Sequence, residues 1–560
     1  MFMRPWYQWY DGVPEVIDEP QDTLLRRLIS QANEHPNQSA LYYFDTRLTW
    51  QELLVRVRQV ASSLEQLGVK SGDRVAIMLQ NVPAFWEVQF ATWWLGGMVV
   101  PINVMYRDQE LRHHLNDSGA KVMVVLDSLA SRVFSIREET SLSTIIAAED
   151  TLDVLGPKPS VIPVSEPHPQ SVRYDRLRLS SPISSDPVPL QVDDVAYLNY
   201  TSGTTGVAKG AMNTHRNVMV NARVYTNWAK LTDHDVNIVF APLFHITGSI
   251  SGIAASVEAA MPAVLLYRFD PELALAAIER HQGSFAVGSI TTYLAMLNQP
   301  DITQRDLSTF TKAYSGGAPV SPATVERFRQ ATGQYIYNVY GLTESTSPAT
   351  MVPWQKQAPV DPDSGALSVG IPVSGLDARI APLNNPSSEE PYGTPGQLLL
   401  KGPQIVPGYW NRPEETAKAH EQDWFMTGDV AVMDTQGWIY IVDRLKDMIV
   451  ASGYKVWPRE VEDILYQHPA VKEAAVVGVP DPYRGETVKA FVSLREDQEN
   501  PTGPEDLLAF VRERLAAYKV PRSIDILEDI PKTVSGKFLR RILRDQERSK
   551  LESTGDAPHS

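Results

Sequence analysis

The pattern of apolar and polar positions changes style twice along the chain. From about residue 48 to 340, short apolar runs alternate with longer stretches of helical spacing. Residues 74–79 (RVAIML), 121–126 (KVMVVL), 195–200, 237–241, 263–267 and 285–289 are continuous apolar segments, the form taken by strands buried on both faces, and 98–101 begins another. Between them, 83–95, 271–281 and 321–331 read as helices. Pro271 suits a first helical position, and Ser321 followed by Pro322 makes an N-cap and first-turn pair. Strands alternating with helices predict parallel, doubly wound sheets. From about 368 to 442 the strands become shorter and are split by Gly and Pro, which predicts a β-rich subdomain. After Asp443 come a helix over 459–467, strands over 473–479 and 488–494, and a helix over 505–518, enough for a compact α+β domain. Residues 156–192, rich in Pro and Ser, read as a surface excursion outside the core. The expected fold class is α/β. A large N-terminal domain (1–445) holds two doubly wound sheets plus the β-rich subdomain, a small α+β domain spans 446–545, and 546–560 is a disordered tail.

Composition narrows the chemistry. The chain has 560 residues, too many for one ordinary domain. Its net charge of −16 gives it no general attraction for nucleic acid. It contains no cysteine, which excludes disulfides, thiolate metal sites and a covalent enzyme thioester, so any thiol acceptor must come from outside. That usage fits a reducing cytoplasm. No signal-peptide pattern opens the chain and no apolar run reaches membrane-spanning length, while peripheral contact with lipid and a homodimer stay open.

The segment 200–210 (YTSGTTGVAKG) is the most informative. Thr201, Ser202, Thr204 and Thr205 supply hydroxyl donors. Gly203 and Gly206 let backbone N–H groups approach an anion, and Lys209 adds a positive charge. A Ser/Thr/Gly-rich surface loop is the plainer reading, but the preceding strand, a helical pattern from His215 and the closing lysine favour a phosphate cradle. It is not a Walker A loop, since Ala208 precedes and Gly210 follows the lysine, and no GxGxxG or hydrolase motif occurs.

This loop resembles that of the adenylate-forming superfamily, which includes acyl-CoA synthetases, luciferases and peptide-synthetase adenylation domains. Most members carry Pro where this chain has Ala208. Further resemblances follow in the family's order: GGMVVPIN (96–103), PLFHITG (242–248), SGGAP (315–319), YGLTE (340–344), WFMTGD (424–429), DRLKD (443–447) with SGYK (452–455), and PKTVSGK (531–537). The resemblance implies ATP, Mg2+ and CoA as partners of a carboxylic acid. It implies that Gly316, Gly317, Ala318 and Pro319 leave room for adenine, that Tyr340 with Gly341 stacks on it, and that Asp429, assisted by Arg444, accepts from the ribose. Glu344 and Thr201 would serve the magnesium ion, and Thr343 the α-phosphate. His245 would gate a thiol tunnel and Lys537 would bridge the carboxylate and α-phosphate. Lys446 would be the hinge of a mobile small domain, whose Gly453 and Tyr454 meet CoA. An acyl pocket is expected around Thr247, Gly248, Gly252 and Gly288, the glycines leaving space for a chain.

The implied reaction is acid activation to an acyl-adenylate with release of pyrophosphate, then acyl transfer to CoA with release of AMP. The start of the chain, residues 4–14, resembles bacterial long-chain fatty-acid–CoA ligases, so a medium or long fatty acid is the expected substrate. An aryl acid such as a cinnamate or benzoate, loading of a carrier protein, and a non-catalytic nucleotide sensor on the same fold are the alternatives.

Overall fold

The computed structural model describes residues 4–201, 208–362, 364–444, 447–451, 454–481, 485–495, 502–532 and 538–554. Two large sheets dominate. The first has seven strands in the order Val172–Arg173, Thr144–Ala148, Val122–Leu126, Arg74–Met78, Met98–Pro101, Val195–Tyr200 and Gly210–Thr214. All neighbours are parallel except the last pair. The second has nine strands. Six parallel ones (Ser39–Tyr43, Ala263–Leu265, Asn237–Val239, Phe285–Gly288, Lys312–Gly316 and Ile336–Leu342) form its centre, and antiparallel Thr46–Thr49 and Ser347–Met351 flank them. The expected doubly wound sheets are present, with strand ends shifted by one or two residues.

The helix Pro83–Trp94 is buried at all twelve positions. A helix apolar on every side needs partners all round. Its one acid, Glu87, has no exposed surface and receives Arg178 at 2.8 Å and the Tyr174 hydroxyl at 2.8 Å. Arg178 also meets Asp153 at 2.6 Å. A buried carboxylate without such partners would be strongly destabilising. This cluster corrects the reading of 156–192 as mere surface. Tyr174 and Leu177 are core residues, Val172–Arg173 adds an edge strand, and Asp150 accepts hydrogen bonds from Ser128, Ser165 and Tyr267 that draw the segment inward.

The β-rich subdomain is a five-stranded sheet of Asp377–Ala381, Gly396–Lys401, His420–Glu421, Trp424–Met433 and Ile439–Arg444, with only the short helix Pro413–Lys418. The amino-terminal segment ties it to the rest. Arg4 pairs with Asp377, Trp9 packs on Trp438, and the Tyr10 hydroxyl donates to Pro372 O. The small C-terminal domain pairs Val471–Asp481 with Gly485–Leu494 and carries helices Pro458–Tyr466, Pro504–Arg512 and Arg540–Thr554. Two expectations are corrected here. The helix begun at Pro504 ends at Arg512, short of the expected 518, and the chain goes on in turns. Residues 546–554 of the expected tail are helical, anchored by buried Leu543 and by Glu547, which accepts from Lys489 at 2.8 Å. Among the described residues no helix is long and apolar enough to cross a membrane.

Candidate active site

In open parallel sheets, ligands collect where strand carboxyl ends meet. Tyr200, Gly288, Gly316 and Leu342 end such strands here. Tyr200 pairs with Gly210 across antiparallel strands, and Thr201 N–H donates to Lys209 O at 2.9 Å, so the two ends of the 201–209 segment are held together. A return strand, Gly210–Thr214, separates Lys209 from the helix His215–Trp228. Ser202, Gly203, Thr204, Thr205 and Gly206 lie outside the described residues.

The neck of this loop is braced from behind. Asp117 accepts from the Tyr200 hydroxyl at 2.8 Å and from Arg412 at 2.7 Å, and His113 Nε2 donates to Ala208 O at 2.7 Å. Burial, with Asp117 alongside, raises the Tyr200 phenol well above its ordinary pKa. Burial pushes the neighbouring His114 down to about 4, so it is neutral at physiological pH. A strap over 408–412 runs alongside: Trp410 N–H donates to Gly210 O and Met212 N–H to Gly408 O. From this strap Tyr409 places its ring 4.2 Å from Lys209 Nζ and donates its hydroxyl to Glu344 Oε1 at 2.7 Å.

Glu344 and Thr343 stand in a strained turn. Thr346 and Ser347, at φ 54° and 84°, both occupy the left-handed region, unusual for a β-branched residue. Two buried asparagines hold the turn through Thr343, Ser345 and Thr346. Asn213 Nδ2 donates to Thr343 O and Thr346 Oγ1, both at 2.9 Å, and Asn221 Nδ2 donates to Ser345 O and Thr346 O. Gly341 lies where the ladder slips register, and a Cβ there would stand 1.8 Å from Ser347 O.

Opposite lies the expected adenosine end. Gly316 closes the strand Lys312–Gly316, and a Cβ there would meet Val339 O at 2.6 Å. Gly317 turns the chain at φ 80°, followed by Ala318 and Pro319. The Tyr340 hydroxyl donates to buried Asp429 at 2.6 Å, so motifs 89 residues apart meet directly. Asp429 pairs across the ladder with Arg444, of which only the backbone is described.

A cavity of about 700 Å³ runs from Gly316 and Gly317 past His245 and Thr247 to Gly288 and Phe240, and on toward Met105 and Val161. Gly248 and Gly252 do not line it, contrary to expectation. A Cβ on Gly248 would sit 2.1 Å from Pro242 O, and one on Gly252 would press on Val239, so both are small for packing and leave no space for a chain. They lie in a short π-helical segment, Gly248–Ala254. Lys537, Lys446 and Gly453 lie outside the described residues, and of Tyr454 only the backbone is described.

Sequence reading missed Tyr409, Asn213, Asn221, Asp117 and Arg412. Their signal was faint: asparagines among apolar positions of a strand and helix, and an aromatic pair in a Pro/Gly-rich loop. Among the described residues no group of three or more His, Asp or Glu is gathered to hold a metal. A single carboxylate, Glu344, near hydroxyl-bearing Thr343 fits magnesium that arrives already bound to phosphate.

Two family models match the sequence: the AMP-binding enzyme model over residues 28–410 and the AMP-binding enzyme C-terminal domain model over 460–537. A long-chain-fatty-acid–CoA ligase of Bacillus subtilis (strain 168) is 34% identical across 97% of this chain and 98% of its own. A feruloyl-CoA synthase of Amycolatopsis sp is 36% identical across 92% and 97%. The crystal structure of the anthranilate CoA ligase AuaEII in complex with anthranoyl-AMP superposes with a TM-score of 0.85, at 26% identity, covering 95% of this chain and 98% of that one. With these matches spanning both of its domains, the chain belongs to the AMP-binding enzymes, as an adenylate-forming acid–CoA ligase.

Proposed function

We propose that the protein activates a medium- or long-chain fatty acid and transfers it to CoA. In the first half-reaction the acid's carboxylate oxygen bonds to the α-phosphorus of ATP and the bond to pyrophosphate breaks. Asp429 and Tyr340 hold the ribose and adenine against Gly316–Pro319. Thr343 donates to the α-phosphate, and Lys209 with the 201–206 hydroxyls stabilises departing pyrophosphate. Magnesium bound with ATP would be held by Glu344 and Thr201 and would neutralise phosphate charge. Lys537 offsets the repulsion between the two reacting anions. In the second half-reaction the CoA sulfur bonds to the acyl carbon, loses its proton, and AMP leaves. His245 lies between thiol and adenylate. The small domain, from Lys446 onward, turns between the steps and brings Gly453 and Tyr454 to CoA.

The observation that carries the reading is the cavity beginning at Gly316 and Gly317. Apolar side chains such as Phe240, Leu129 and Val161 line it together with polar ones such as Gln80, Asn81 and Thr292, and its length suits a flexible tail. The 34% identity to a long-chain ligase over nearly the whole of both chains points the same way. An aryl acid is the second reading, favoured by the 36% identity to a feruloyl-CoA synthase. AMP release with ATP, magnesium and CoA across a panel of saturated fatty acids and substituted cinnamates and benzoates decides between them. The expected result is kcat/KM rising with chain length by ~10-fold or more, at about 0.8 kcal/mol per buried methylene. A panel in which the aryl acids lead would overturn the fatty-acid assignment.

A further inference from the structure

Lys209 and Glu344 follow strands of different sheets and carry opposite charges, yet the partner each meets at this site is Tyr409. Tyr409 contacts both. One face of its ring carries the Lys209 ammonium at 4.2 Å, and its hydroxyl occupies Glu344 Oε1 at 2.7 Å. The side chain is itself rigidly placed. It is buried, its backbone bridges to Ala211, and its N–H donates to Thr416 Oγ1 at 3.0 Å. Burial beside Glu344 keeps the phenol protonated, and so a donor, at any physiological pH.

We propose that Tyr409 is a positioning residue that keeps the phosphate-binding lysine and the magnesium-binding carboxylate from neutralising each other before nucleotide arrives. This rests on the ligase reading above. An ammonium and a carboxylate left side by side in a half-buried site would pair, and incoming phosphate and cation would have to break that pair. An aromatic face and a neutral hydroxyl hold each charge without cancelling it, and both release readily to a stronger partner.

The test measures equilibrium binding of a non-hydrolysable ATP analogue by calorimetry, with and without magnesium. Tyr409→Phe keeps the ring under Lys209 and removes only the hydroxyl. It frees Glu344 to reach Lys209, and should raise the magnesium concentration needed for half-maximal binding and weaken magnesium-free binding, each roughly tenfold, the scale of one charge-assisted hydrogen bond. Tyr409→Leu removes the ring as well and should weaken binding in both conditions. Adding Glu344→Gln to Tyr409→Leu discharges the competing carboxylate and should bring magnesium-free binding up to that of Glu344→Gln alone, whereas a purely structural role for Tyr409 would leave the double variant weaker than that single one. Wild-type magnesium dependence in Tyr409→Phe, or no recovery in the double variant, would overturn the proposal. Should Tyr409→Leu fail to fold, the Tyr409→Phe result decides alone. Failure of the ligase reading itself would show separately, as wild-type protein that binds no analogue at any magnesium concentration.

Discussion

Replacing Gly341 with alanine will lower adenylation by ~100-fold or more, the scale expected when catalytic groups are displaced by about an ångström. The cause is local and steric. Gly341 sits at the register slip between Ile336–Leu342 and Ser347–Met351, where an added Cβ would stand 1.8 Å from Ser347 O. The chain cannot readily relieve this by moving Ser347, because Thr346 and Ser347 are already in left-handed conformations, Asn213 and Asn221 lock Thr346, and the Ser347 hydroxyl is bonded to that of Tyr225. The neighbouring side chains, Tyr340 and Glu344, must shift instead, breaking the 2.6 Å bond to Asp429 and the 2.7 Å bond from Tyr409. Overpacking of this kind should also cost about 1–3 kcal/mol of stability, visible in chemical denaturation. A Gly341→Ala enzyme with wild-type kcat and KM for ATP would show that the turn's geometry is not what places Glu344.

The second large effect belongs to Lys537. Lys537→Ala should lower formation of acyl-adenylate by ~1,000-fold or more, because two anions then meet without a positive charge between them. Thioester formation from supplied acyl-adenylate and CoA should fall less than ~10-fold, since that step joins no second anion to the phosphate. Rapid-quench assays of the separate half-reactions check this. Equal losses in both would refute the role assigned to Lys537.

Much of the architecture was legible because parallel strands buried on both faces read as unbroken apolar runs. The strand Val195–Tyr200 and the helix Pro271–His281 fall where their spacing predicts them. The meeting of Tyr340 with Asp429 was implied by motif resemblance alone, since nothing local in either segment points to the other. What the sequence hid is long-range. The excursion at 156–192 looks like loop by composition, and long-range contacts such as the pairing of Arg178 with Glu87, 91 residues away, draw it into the core. Gly248 and Gly252 looked like room for substrate, whereas the space beside them is taken by Pro242 O and Val239. A glycine's smallness does not reveal which neighbour needs the space. The helix over 546–554 was missed because that stretch is polar almost throughout, and its anchors, Leu543 and Lys489, lie outside it.

The central claim is that phosphate, ribose and acid converge on one site, so that the acid reacts with ATP before any thiol takes part. Exchange of labelled pyrophosphate into ATP, measured without CoA, tests this most directly. The account predicts exchange that begins only when a fatty acid is present and needs no CoA. Exchange that appears without acid, or that starts only once CoA is added, would contradict it.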